Sequence, residues 1–147
     1  MKTLAKVSTF LVVAAVAGTA HAQTALQPGQ WETTDKGEIE GGGSMPAATK
    51  TVCLKGADAT LERLLFLSPD KLKEAGCSAE PGPKKTGVLT STLSCKSEER
   101  GELTAKVEVN YTATSYEGVG RMEVKTKAGK LVKGSSILTG KRLGDCS

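Results

Sequence analysis

The sequence predicts a mainly β domain, an antiparallel meander forming a small barrel or half-barrel, with one or two short helices and disulfide staples. Three observations lead there. From Leu103 to Tyr111, apolar residues alternate one for one with Thr104, Lys106, Glu108 and Asn110, the period of a strand with one face buried. Turn-forming residues recur at short intervals through the C-terminal half, which suits hairpins rather than helical crossovers. Cys77 and Cys95 stand at equal distances from Thr86, so an antiparallel hairpin folded about Thr86 sets them opposite each other.

Met1 to Ala22 carries Lys2 and Lys6, an apolar run from Phe10 to Ala17, and a small-x-small ending, Ala20-His21-Ala22. This is the pattern of a secretory signal peptide. A membrane-spanning helix needs about 20 apolar residues, and the run is shorter. The expected organisation is therefore a signal peptide over 1–22 and a single disulfide-containing β domain over 23–147. The expected location is periplasmic or secreted, with no transmembrane segment after cleavage. Cleavage removes His21, the single histidine. It also removes two of the 20 basic residues, which against 16 acidic ones leaves a net charge of about +2. So small an excess, with Trp31, Phe66, Tyr111 and Tyr116 as the remaining aromatics, argues against nucleic-acid binding.

Four cysteines in an exported chain predict two disulfides, for which three connectivities exist. The hairpin register favours Cys77 with Cys95 and leaves Cys53 with Cys146. The loop of the hairpin is expected at Lys85, Thr86 and Gly87, with the glycine in the left-handed position. A metal site is not expected, because there is no C-x-x-C pair and no histidine after cleavage.

In chain order, Gly29 to about Glu40 reads as a polar strand, Gly41 to Pro46 as a flexible connection, and Ala48 to Leu54 as a second strand. From Asp58 to Ala75 the period becomes helical: Leu61, Leu64, Leu65 and Leu72 share a face. Asp58 is placed to cap the first turn. Ser68 and Pro69 mark a second start, as N-cap and first helical residue, and Gly76 supplies the stop. After the stapled hairpin come the strand at 103–111, a turn over Thr114 to Gly118, a strand from Val119 to Lys127, a turn at Ala128 to Lys130, and a last strand from Leu131 to Leu143. With one apolar face, such a sheet must curl on itself or be covered by the helices.

Catalytic chemistry is scarce. Without histidine, Ser-His and Cys-His catalysis and imidazole proton transfer are excluded. Gly134 to Lys141 has one residue too many for a phosphate-binding loop, and Arg142 stands where Ser or Thr is needed. No catalytic residue, cofactor or metal ligand is assigned. The chain reads as a non-enzyme, and a carboxylate- or lysine-based hydrolase is the remote alternative.

Leu26-x-Pro28-Gly29-x-Trp31-Glu32, Cys53-Leu54, Gly76-Cys77, Ser94-Cys95, Tyr116-x-Gly118 and the ending Gly140-Lys141-Arg142-Leu143-Gly144-Asp145-Cys146 together resemble the exported bacterial proteins of domain of unknown function 3617. The resemblance implies a periplasmic or secreted protein of a Gram-negative bacterium and supplies no catalytic residues. Gly29-x-Trp31 is also similar to the opening of lipocalins, in which the tryptophan packs against a basic residue of the last strand. Arg142 would take that part by stacking on the indole.

The expected function is that of a binding module, for a small hydrophobic ligand or an envelope partner. An envelope interaction protein without a ligand is the alternative. Trp31, Leu61, Leu64, Leu65 and Leu72 are the candidate binding residues.

Overall fold

The computed structural model describes residues 25–147. The signal peptide assigned to 1–22 lies outside the described residues. The elements are β1 (Gly29–Ile39), β2 (Gly43–Ser44), β3 (Ala48–Leu54), α1 (Leu61–Leu65), α2 (Pro69–Glu74), β4 (Cys77–Pro81), β5 (Val88–Ser97), β6 (Gly101–Tyr111), β7 (Ser115–Lys125) and β8 (Leu131–Gly144), with a 3₁₀ turn at Gly56–Asp58 before α1. All strand pairs are antiparallel. They make one sheet in the order β2-β1-β8-β7-β6-β5-β4, with β3 also on β1. The sheet does not close, so the fold is an open half-barrel.

Its curvature follows from what α1 touches. From β1 to β5 is four strand spacings, about 19 Å if flat, whereas a helix of five residues is only about 7.5 Å long. Yet Leu61 and Leu64 of α1 share one core with Trp31 of β1, Tyr116 of β7, Val109 of β6 and Leu89 of β5. The sheet wraps around the helix. Trp31, Leu61 and Val109 are the largest fully buried side chains.

Several local expectations shift. The cap of α1 is Thr60, whose hydroxyl accepts from the Arg63 N–H at 3.3 Å. Asp58 instead ends the 3₁₀ turn, two residues too early to reach the helix. Ser68 and Pro69 do begin α2, although the Ser68 side chain makes no capping bond. Gly43–Ser44, inside the expected flexible connection, pairs with Glu38 and Ile39.

Both disulfides form as the register argument predicts, Cys77–Cys95 between directly opposed residues and Cys53–Cys146. The hairpin tip differs. Lys85 pairs with Val88, so the loop is Thr86–Gly87, while the body keeps Pro81 opposite Ser91. Gly82 still donates to the Thr90 carbonyl in the body's register, so the pairing slips by one between Gly82 and Lys85, a stretch in which Pro83 has no N–H for the ladder.

The next turn also comes earlier than Thr114–Gly118. Thr112 Oγ1 accepts from the N–H groups of Thr114 and Ser115, closing the turn before Ser115. Tyr116 and Gly118 are then strand residues facing inward. Gly134 to Lys141 lies within β8, so it forms no phosphate-binding loop.

Candidate functional site: an apolar cleft beneath the helices

The helices occupy one end of the concave face, and the spaces beside them are the candidate sites. The larger is a cleft of about 580 Å³ between the α1–α2 corner and the β4–β5 hairpin. Its apolar wall comes from Phe66, Leu67, Leu72, Ala79, Pro81 and Leu89. Ala79 and Pro81 on β4 and Leu89 on β5 belong to one inward-pointing set, because side chains two apart on a strand share a face. The helical corner supplies the opposite wall. Leu65 ends α1, and Phe66 to Ser68 turn the chain into α2, so Phe66 and Leu67 are displayed at the corner rather than absorbed into a helix face. Leu67 is 56% exposed.

Polar groups ring this wall: Asp58, Glu62, Arg63 and Lys84. The arrangement has the composition expected of a small-molecule site, mostly apolar with a few polar groups at the edge, and its volume lies within the usual range of about 300–1,000 Å³.

Of the sequence-predicted binding residues, Leu72 lines this cleft. Trp31, Leu61 and Leu64 are buried in the core. Leu65 lines smaller recesses on the other flank of α1, together with Leu64. The helix face was therefore read correctly as apolar, but most of it supports the cleft from behind. Phe66, Leu67, Ala79 and Leu89 were missed. Phe66 and Leu67 fall off the helical period because the helix ends before them, and Ala79 and Leu89 join the site through the hairpin register.

The lipocalin-like part for Arg142 is not what the geometry assigns. Arg142 is the cross-strand neighbour of Trp31, but its Nε donates to the Pro28 carbonyl at 2.7 Å and its guanidinium pairs with the Asp145 carboxylate. The ring stacked on Trp31 is Tyr116, with centroids 6.4 Å apart and planes 22° from parallel. The indole N–H donates to the Gln27 carbonyl at 3.0 Å.

The motifs around Trp31, Cys53, Tyr116 and the C-terminal Gly140–Cys146 thus meet at one end of the sheet, while Gly76-Cys77 and Ser94-Cys95 lie toward the other. Gly29 lies so close to Arg142 and the Gly144 carbonyl that a Cβ would collide with both. Cys146 crosses the end of β1 to reach Cys53 on the far side, bringing their Cα atoms to 5.7 Å. These residues close the fold and hold Trp31 in place.

The structure is that of an open, helix-filled antiparallel half-barrel with an apolar cleft. The chain belongs to the DUF3617 family, described as protein of unknown function, which it matches over residues 26–146. No curated protein and no solved structure matches it.

Proposed function

We propose that this is an exported, non-enzymatic binding protein that holds a small hydrophobic ligand in the cleft between the α1–α2 corner and the β4–β5 hairpin. The observation that carries the reading is the continuous apolar wall of Phe66, Leu67, Leu72, Ala79, Pro81 and Leu89 in a volume of about 580 Å³. Export is supported by the signal-like residues 1–22 and by two disulfides, bonds that persist in oxidising compartments. Among the described residues, no helix is long and apolar enough to cross a membrane.

The test is native mass spectrometry of the protein purified from bacterial envelopes, beside a Leu67→Glu variant. Leu67 is exposed, so a charge there leaves the fold intact while placing a desolvation cost at the cleft mouth. The expected result is a co-purifying hydrophobic molecule that Leu67→Glu loses. An empty wild-type protein overturns the reading.

A second reading, an envelope partner without a small ligand, is favoured by one feature of the convex face. Val119 and Ile137 are cross-strand partners there, 39% and 56% exposed. Crosslinking that passes through this pair in protein with an empty cleft is its expected mark.

A further inference from the structure

The opposite flank of α1 carries a separate recess of about 250 Å³, lined by Thr33, Asp35, Lys50, Leu64, Leu65, Tyr116 and Leu138 among others. Its construction depends on Gly140. Thr33 and Tyr116 are both cross-strand neighbours of Gly140, on either side of β8. The Tyr116 ring folds over this glycine so closely that a Cβ would sit within the ring. In that way an aromatic from β7 reaches across β8 to stack on Trp31 of β1.

Tyr116 is 6% exposed, and its hydroxyl has no hydrogen-bond partner among the described residues. Its oxygen is not one of the buried unpaired side-chain atoms; it opens on the recess that Tyr116 lines and is free to donate there. Beside it the recess offers an apolar wall of Leu64, Leu65 and Leu138. At its mouth stand an exposed carboxylate, Asp35, and an exposed ammonium, Lys50, neither of which forms an ion pair among the described residues.

We infer that this recess is a second ligand site, in which the Tyr116 hydroxyl donates to the head of a small amphiphile whose head is uncharged, an alcohol or carboxamide. The apolar part lies along Leu64, Leu65 and Leu138. An uncharged head follows from the pair at the mouth. With both charges at the mouth, a singly charged head gains from one what it loses to the other and still bears its own desolvation cost, whereas a hydroxyl or amide accepts from the phenol and has a proton left to give to the carboxylate. Burial of Tyr116 and the nearby Asp35 charge hold its phenol protonated, up to about 12, so it remains a donor at neutral pH. The inference does not rest on the larger cleft, which uses different residues of α1.

Trp31 is the single tryptophan of the chain and stacks on Tyr116, so its emission reports the site. The experiment titrates the full mature protein with octanol, octanamide, octanoate and octylammonium while following Trp31 fluorescence. Octanol and octanamide are expected to give a saturable change, with both charged analogues weaker. Tyr116→Phe keeps the ring and removes the donor, and is expected to weaken octanol about tenfold, the scale of one hydrogen bond. Ala48→Phe, at an exposed position lining the same recess, fills it from the edge strand and is expected to abolish the response. Leu67→Glu, in the other cleft, leaves it unchanged. Equal octanol affinity in Tyr116→Phe, an unaltered response in Ala48→Phe, or tighter binding of octanoate or octylammonium each overturns the assignment.

Discussion

The two ends of the concave face are built from the same alternating pattern and have different fates. At the end beneath α1, Trp31, Tyr116, Val109 and Leu89 are 0–9% exposed. At the other end Ile39, Leu93, Leu103, Ala105, Met122, Val124 and Val132 point to the same side of the sheet and are only half-buried. The difference is what lies over them. The chain between β3 and β4 contributes Ala59, Leu61 and Leu64 to one end, whereas α2 leads toward the other along the β4 edge and contributes no residue to that core. Alternation therefore tells which face of a strand is apolar, while coverage is decided by where the single helical insertion lands.

The widest separation between the ends should appear in truncation. Trp31→Ala removes the largest fully buried side chain and its stacking partner for Tyr116, so it should cost about 3–5 kcal/mol, the usual range for deleting a buried aromatic. Val124→Ala, an equivalent inward position at the uncovered end, should cost under about 1 kcal/mol because much of the side chain is already in water. Urea unfolding of the two variants measures both. Comparable losses would mean that the far end is covered in solution, and would break the comparison.

A smaller effect separates the ends by pH. Burial first, and then the charge of Asp35, raise the Tyr116 phenol from 10 to about 12. The folded protein therefore binds this proton more tightly than the unfolded chain does. The stabilisation is complete below the unfolded value and is lost as pH rises from about 10 to about 12. It amounts to about 2–3 kcal/mol at 1.36 kcal/mol per unit. Other groups also titrate in this range, so the measurement is the difference between wild type and Tyr116→Phe, with unfolding midpoints compared at about pH 9 and about pH 11.5. The wild type should lose the additional stability; parallel losses would place the phenol in water.

Much of this architecture was legible, and the exceptions share a cause. The hairpin register could be read because Cys77 and Cys95 mark opposite positions and the pairing is local. The strand at residues 103–111 could be read because its alternation is unbroken. The pocket residues could not be, since Phe66, Ala79 and Leu89 lie on three separate elements that meet only through tertiary packing. Tyr116 was hidden in another way. Gly118 and Gly120 near it look like turn residues, but Gly118 sits against Val109 and leaves no room for a Cβ, so its lack of a side chain serves strand packing rather than a turn. The role of Gly140 is similar. Nothing local reveals that a ring two strands from β1 will lie over it.

The smallest contrast sets the concave face against the convex one. Lys96–Glu102, Lys133–Glu123 and Lys141–Glu32 are ion pairs at 3.2–3.3 Å, and each joins directly opposed residues of neighbouring strands. Register alone brings them together, so the same ladder that buries Val109 on one side aligns opposite charges on the other. Their side chains are 37–80% exposed. Water and salt screen such pairs, and ordering two long side chains offsets part of the attraction. Lys133→Ala should therefore cost under about 1 kcal/mol at low salt, and less in high salt. A double-mutant cycle of Lys133→Ala with Glu123→Ala, read by urea unfolding at two salt concentrations, gives the pair's own share. A salt-independent coupling well above that range would mean that the convex face is shielded from water, as an occupied interface would be, and would shift the functional search from the cleft to that surface.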